Sequence, residues 1–302
     1  MARPPTLDLA LLGLAVVAVS TSAPLIRGAE APSLAVAFWR NALALPVLAA
    51  LAVAGARGRR ELRRLRGREG RLAALSGLFL AAHFGTWVPS LSFTSVASSV
   101  ALVATQPAWA ALVARWRGEH VPRAAWLGIA TAMAGTVLLT GIDLSISARA
   151  LVGDLLAVAG GALAAAYVTV GAEVRRTVST AVYALACYAV AGAVLLVVCA
   201  AGGQALAGYD ATTWWLLVGL VVGPQLLGHT LVNRVLRTTS PMVVSVAILF
   251  EIVGSALLAW VFFDEVPPLS AVPAALLIAG GVVLVVRAEP AEPSVAGAPA
   301  ME

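Results

Sequence analysis

One glutamate stands alone in a long apolar run. Glu251 lies about eleven residues into the stretch 241–263 and is its only charged residue. A carboxylate at membrane depth costs roughly 2.5–3.5 kcal/mol on insertion scales, so it normally faces protein or water and marks a functional candidate. Such a group can bind a substrate amine or carry a coupling proton. The plainer alternative is a structural carboxylate bonded to a neighbouring helix. Ala247, Gly254 and Ser255 share its helical face and are expected to leave it room.

Other polar groups recur at helical spacing. Ser76, His83, Trp87 and Ser90 fall at i, i+7, i+11 and i+14, one stripe on one helix. His83 is either a proton or substrate contact or a hydrogen-bonded packing residue. Trp87 offers a platform for a ring or cation, or belongs to an interfacial aromatic belt. Gln225, His229 and Asn233 fall at i, i+4 and i+8. That stripe must turn inward to escape lipid. Asn233 falls near the inner surface and reads as wetted there, which leaves Gln225 and His229 as the stronger candidates. Arg40, about seven residues into 33–55, either snorkels outward or pairs with a substrate carboxylate. Tyr167, Gln106 and Trp109 complete the expected lining. Gln106 adjoins Pro107 and Gln225 adjoins Pro224, and a proline beside an amide at membrane depth suits a cavity wall as well as a kink.

The elements that hold these residues are apolar helices. The chain of 302 residues is 61% hydrophobic and only 12% charged. That composition fits a protein whose outer face matches lipid. Ten stretches approach the roughly 20 residues needed to cross a bilayer core. They run over 8–26, 33–55, 72–91, 96–114 and 123–141, then 151–172, 179–202, 213–233, 241–263 and 269–286. The first lacks a clear leader cleavage site and is expected to be retained. The expected class is an all-α integral membrane fold. The prolines at 24, 46, 107, 224 and 273 are expected to interrupt spans.

The two sets of five are related. TSVASSVALVATQP, from Thr94 to Pro107, recurs in outline as TSPMVVSVAILFEI, from Thr239 to Ile252. Glu119 and Pro122 then precede one apolar run, and Glu265 and Pro268 precede its counterpart. Leu7-Asp8-Leu9 parallels Gly153-Asp154-Leu155. His83 and His229 occupy nearly corresponding places. Five is odd, so the second repeat enters the membrane inverted, the usual scaffold of secondary transporters. The repeats are expected over 1–145 and 146–288, followed by a Pro-, Ala- and Glu-rich disordered tail over 289–302.

All 20 basic residues are arginine. With both termini cytoplasmic, seventeen lie inside, two outside (Arg27 and Arg149) and one, Arg40, within a span. The segment ARGRRELRRLRGREGR is read as a loop near anionic lipid rather than a nucleic-acid patch, because spans flank it on both sides. Cys187 and Cys199 are twelve residues apart on one span, about 18 Å along a helix, too far to bridge each other. Neither belongs to a CxxC pattern, so no metal or redox role is expected.

At this point the motifs resemble a family. AFWRNALALPVL (37–48), GDLLAVAGGALAAAYVTVGAEVRR (153–176), TSVASSVALVATQP, LVARWRGEHVP and TTSPMVVSVAILFEI are similar, in order, to segments of the EamA-type branch of the drug/metabolite transporter superfamily. The likeness runs from about residue 8 to 287. One departure is visible: the family often has Glu-Pro in span 9, whereas Glu251 is followed by Ile252. The resemblance implies secondary active export of small metabolites, often amino acids, by alternating access, with protons as a candidate coupling ion and no cofactor. It implies a multi-pass protein of a bacterial-type inner membrane. The alternatives are efflux of lipophilic cationic drugs, a passive channel and a lipid-headgroup flippase. An intramembrane enzyme has little support: there is no HExxH, no GxSxG and no Walker A motif.

Overall fold

The computed structural model describes residues 6–94, 96–140, 147–263, 266 and 269–288. Glu265, Pro268 and the tail 289–302 lie outside the described residues. The described residues form helices and no strand, as expected where lipid offers the backbone no hydrogen-bond partner.

Among the described residues, eight stretches are long and apolar enough to cross a membrane: Leu7–Ile26, Ser33–Ala54, Arg68–Ser90, Ala148–Arg175, Thr180–Ala201, Ala211–Val235, Pro241–Leu258 and Ala271–Ala288. A ninth apolar helix, Arg123–Leu139, is shorter. The stretch expected to be the fourth span, 96–114, is not among these eight. Ten crossings are the expectation from sequence, and eight stretches meet the length and apolarity required of a span among the described residues.

In chain order the helices are α1 (Thr6–Ser20), α2 (Ser22–Gly28), α3 (Ser33–Ala42), α4 (Leu45–Ala54), α5 (Ala56–Arg64), α6 (Arg68–Ser90), α7 (Val96–Val103) and α8 (Gln106–Trp116). Then come α9 (Arg123–Thr140), α10 (Ala148–Arg175), α11 (Thr180–Ala201) and α12 (Ala211–Leu220). A π-helical segment (Val221–His229) continues into α13 (Thr230–Val235), followed by α14 (Pro241–Ile248), α15 (Phe250–Phe263) and α16 (Ala271–Ala288).

The prolines explain the breaks. Pro24, Pro46, Pro107 and Pro273 each sit in the first turn of a helix, α2, α4, α8 and α16. There a missing N–H costs no helical bond. They start new helices after a break rather than kinking one. Pro224 alone among the five lies in mid-helix, inside the π segment, where wider winding absorbs the lost bond. Span 9 also breaks, at Leu249, between α14 and α15. It does so without the proline that its counterpart has. The two breaks, at 104–105 and 249, fall at matching places of the repeated motif.

Packing follows the repeat. α6 lies on α10 as α1 lies on the π segment and α13. α9 pairs with α16, α3 and α4 pair with α11, and α8 pairs with α14. Small residues bring backbones together, as membrane helices require. A methyl at Gly281 would lie 2.5 Å from the Gly128 carbonyl oxygen, and one at Gly135 would lie 2.7 Å from that of Ala274. The largest core cluster includes Leu48, Leu80, Phe84, Tyr183 and Tyr188, between α4, α6 and α11.

The arginine-rich segment is not a loop. Residues 56–64 form α5, with Glu61 buried and Leu62 packed on the main core. The run of charges hid its amphipathic period. Cys187 and Cys199 are both free and buried.

Candidate functional site

The centre of the molecule is built around Arg40. It sits near the end of α3 with 1% of its surface exposed. Its Nε donates to Gln225 Oε1 at 3.0 Å. Gln225 Nε2 donates to Asn41 Oδ1 at 3.2 Å, and Asn41 Nδ2 donates to Ala37 O at 2.8 Å. The guanidinium also lies over the Phe84 ring, 4.3 Å from its centroid, a cation–π contact strengthened by burial of both groups. Arg40 Nη2 is buried without a hydrogen-bond partner. The snorkelling alternative is overturned: the π segment presents the Gln225 carboxamide at the right depth, and the guanidinium turns inward to it.

A row of rings continues from Phe84. Its ring meets His229 edge-on at 5.8 Å, and Tyr167 lies 6.3 Å from His229 on the other side. His83 stacks on Trp87 with centroids 5.8 Å apart and planes 6° apart. His83 Nδ1 lies 2.9 Å from the Gly160 carbonyl oxygen. A carbonyl only accepts, so in neutral imidazole the proton belongs on Nδ1, leaving Nε2 as an acceptor.

Below the rings, the Tyr167 hydroxyl donates to Asn233 Oδ1 at 2.8 Å, and Asn233 Nδ2 donates to the Tyr188 hydroxyl at 3.4 Å. Asn233 is fully buried. The expectation that water wets it is wrong, because α10 and α11 cover it and their tyrosines satisfy its amide.

The stripe on α6 is buried, but packing uses much of its polarity. Ser76 Oγ donates to Tyr167 O at 3.1 Å and lies 2.6 Å from the Tyr183 hydroxyl. Ser90 Oγ donates to Trp87 O and lies 2.6 Å from Ser99 Oγ. Trp87 Nε1 is buried with no partner. Gln106 and Trp109 stand at the start of α8. Gln106 Nε2 donates to Ser245 Oγ at 2.9 Å, tying α8 to α14, and Trp109 Nε1 donates to Thr105 Oγ1 at 3.1 Å. They adjoin the ring row through α10, where Gly160 faces Trp87 and Gly161 faces Thr105 and Gln106. Among the described residues no hydrogen bond joins them to Arg40.

Glu251 opens α15, just after the break, and is partly exposed. Glu251 and Arg40 are absent from the ion pairs within 4 Å among the described residues. Of the small residues beside Glu251, Gly254 lies against Ser20 and Ser255 Oγ donates to Ser20 O at 2.9 Å, while Ala247 and Gly254 also line an open crevice against span 1. Three His, Cys, Asp or Glu side chains able to hold a metal do not gather among the described residues.

Asn41, Phe84, Tyr188 and Ser245 were not singled out in the sequence. Asn41 carried a signal, as an amide beside a charge in an apolar run. Phe84 and Tyr188 carried none.

Buried polar groups at helix breaks, in a membrane bundle of two related halves, define a class: the helical membrane transporters. The chain belongs to the EamA-like transporter family, whose model matches residues 7–141 and again 151–287. It is a multi-pass membrane protein of a family that moves small molecules. No curated protein sequence matches it. One solved structure, described only as "Crystal structure of protein", has a TM-score of 0.78 over 94% of this chain and 98% of its own. At 22% identity it speaks for the fold alone.

Proposed function

We propose that the protein is a secondary active exporter of small zwitterionic metabolites, amino acids or close relatives, working by alternating access between two inverted halves. One observation carries this reading. A buried guanidinium holds an Nη2 with no hydrogen-bond partner. An unmade bond on a buried charged group is costly. A substrate carboxylate at Arg40 would satisfy it, while the substrate amine would face Glu251. His83, Trp87, Tyr167 and His229 would flank the rest of the substrate. Protons are the proposed coupling ion, with Glu251 their carrier.

The proposed orientation puts both termini in the cytoplasm, since seventeen arginines then lie inside. A cysteine introduced at Arg64 should be closed to outside reagents and one at Gln204 open, with native Cys187 and Cys199 buried and silent.

A second reading, efflux of lipophilic cations, is favoured by the rings around Phe84 and by Glu251. Flux of a substrate panel in proteoliposomes separates the two. Uphill export of zwitterions supports the first, and export of aromatic cations alone supports the second. Arg40→Lys keeps the charge but loses the Nε bond and the planar stack. We expect at least a tenfold loss of zwitterion flux, about 1.4 kcal/mol. Unchanged flux in that variant would sink the carboxylate role.

A further inference from the structure

The arginines of residues 57–71 are not used by the site. There are eight, all exposed. Arg57 pairs with Glu61 at 2.8 Å and Arg68 with Glu173 at 3.0 Å. Arg59, Arg60, Arg63, Arg64, Arg66 and Arg71 have no carboxylate partner within 4 Å among the described residues.

These charges are held in a fixed array. Leu62 and Leu65 pack on the main core. Glu61 is 4% exposed, and its Oε2 accepts the Ser179 N–H at 2.7 Å, just before α11. Burial pushes the Glu61 carboxyl up, but the bonds from Ser179 and Arg57 outweigh it and hold the group below its ordinary value. It therefore stays charged and keeps α5 docked. The apolar side of α5 is thus occupied by protein, while on its charged side Arg59 Nη1 donates to Val53 O at 2.6 Å and the side chains remain exposed.

Position decides what meets that side. α5 begins two residues after the span ending at Ala54, and the span beginning at Arg68 follows α5 after three residues. Both ends of α5 are therefore tied closely to the ends of two membrane-length apolar stretches. We infer that α5 and the turn after it form a binding surface for the phosphodiester headgroups of anionic phospholipids. Planar guanidinium groups take phosphate oxygens two at a time. Each basic side chain near an anionic bilayer adds to the attraction, and salt weakens it.

The test uses the full-length protein with phosphatidylglycerol and phosphatidylcholine as probes. One variant changes Arg59, Arg60, Arg63 and Arg64 to Gln, and another changes the same four to Lys. We expect the native protein to retain phosphatidylglycerol through detergent purification and to gain melting temperature from it but not from phosphatidylcholine. The Gln variant should lose at least about fivefold of that retention, and the Lys variant should lie between. A Gln variant whose melting temperature without added lipid is native, and which still retains phosphatidylglycerol fully, overturns the inference. Equal stabilisation by the two lipids overturns it, as does tighter capture of a single-stranded RNA than of the lipid. If the Gln variant fails to fold, the Lys variant decides: retention equal to native removes the bidentate contact, and partial loss supports it. None of these readouts requires transport.

Discussion

Two seams that the repeat makes equivalent are packed differently. In one, α10 lies against α7 and α8 at backbone distance. A methyl at Gly161 would stand 2.7 Å from Val103 O. In the other, α1 meets α14 and α15 across an apolar crevice of about 530 Å3. Leu12, Gly13 and Val16 line one wall, Ala247, Phe250 and Val253 another, and Val282 of α16 closes the side. The repeated sequence gives the reason. Counting back 146 residues, Gly161 corresponds to Ala15, so the seam with glycine closes to backbone contact where its counterpart carries a methyl. Equivalent topology therefore does not mean equivalent closeness.

The largest expected effect comes from adding bulk to the tight seam. Gly161→Val drives side-chain atoms into a backbone carbonyl, and we expect a loss above about 3 kcal/mol and little folded protein. Gly13→Val is its control. Nothing lies within 4 Å of a methyl there, so the melting temperature should hardly move. Size-exclusion profiles and thermal unfolding in detergent check both, and equal damage from the two would erase the contrast.

Next comes a change that makes the halves more alike. In the repeated motif Gln106 stands where Glu251 stands, so Glu251→Gln copies the first half into the second. We expect native expression and melting temperature, loss of export driven by a proton gradient, and surviving exchange of substrate down its own gradient. Normal transport across pH would remove the coupling role. Misfolding would show a structural carboxylate instead.

The smallest effect tests one of the few polar links across the loose seam. Ser255→Ala removes the bond to Ser20 O and should cost about 1 kcal/mol, seen as a small fall in melting temperature. No measurable fall would show that apolar contact alone holds that seam.

The architecture was legible where one stretch of chain carries its own cause. Apolar length gave the helices, and Pro107 pointed to the break before α8. Span 9 breaks without such a marker, because the family likeness there rests on position rather than on a proline. The site was legible in part. Cost in lipid pointed to Arg40, His83, Gln225, His229 and Glu251. It could not show that Arg40 bonds Gln225, 185 residues away, nor that Phe84 stacks under it, since any phenylalanine suits an apolar face. The stripe on α6 misled in a different way. Polar spacing revealed the buried face, but several of those groups are spent on neighbouring backbone and hydroxyls.

The π segment has one more consequence. Its i→i+5 winding holds about one residue more than an α-helix of equal rise. An α-helical residue turns the chain by about 100°. The π turn runs through Gln225 to His229, so it sets the angle between Gln225 and Asn233. Wound as an ordinary α-helix, the eight steps from Gln225 to Asn233 would turn the chain by about 800°, leaving Asn233 roughly 80° out of phase with Gln225. The amide that meets the guanidinium and the amide that meets the tyrosines owe their angular register to that wider turn.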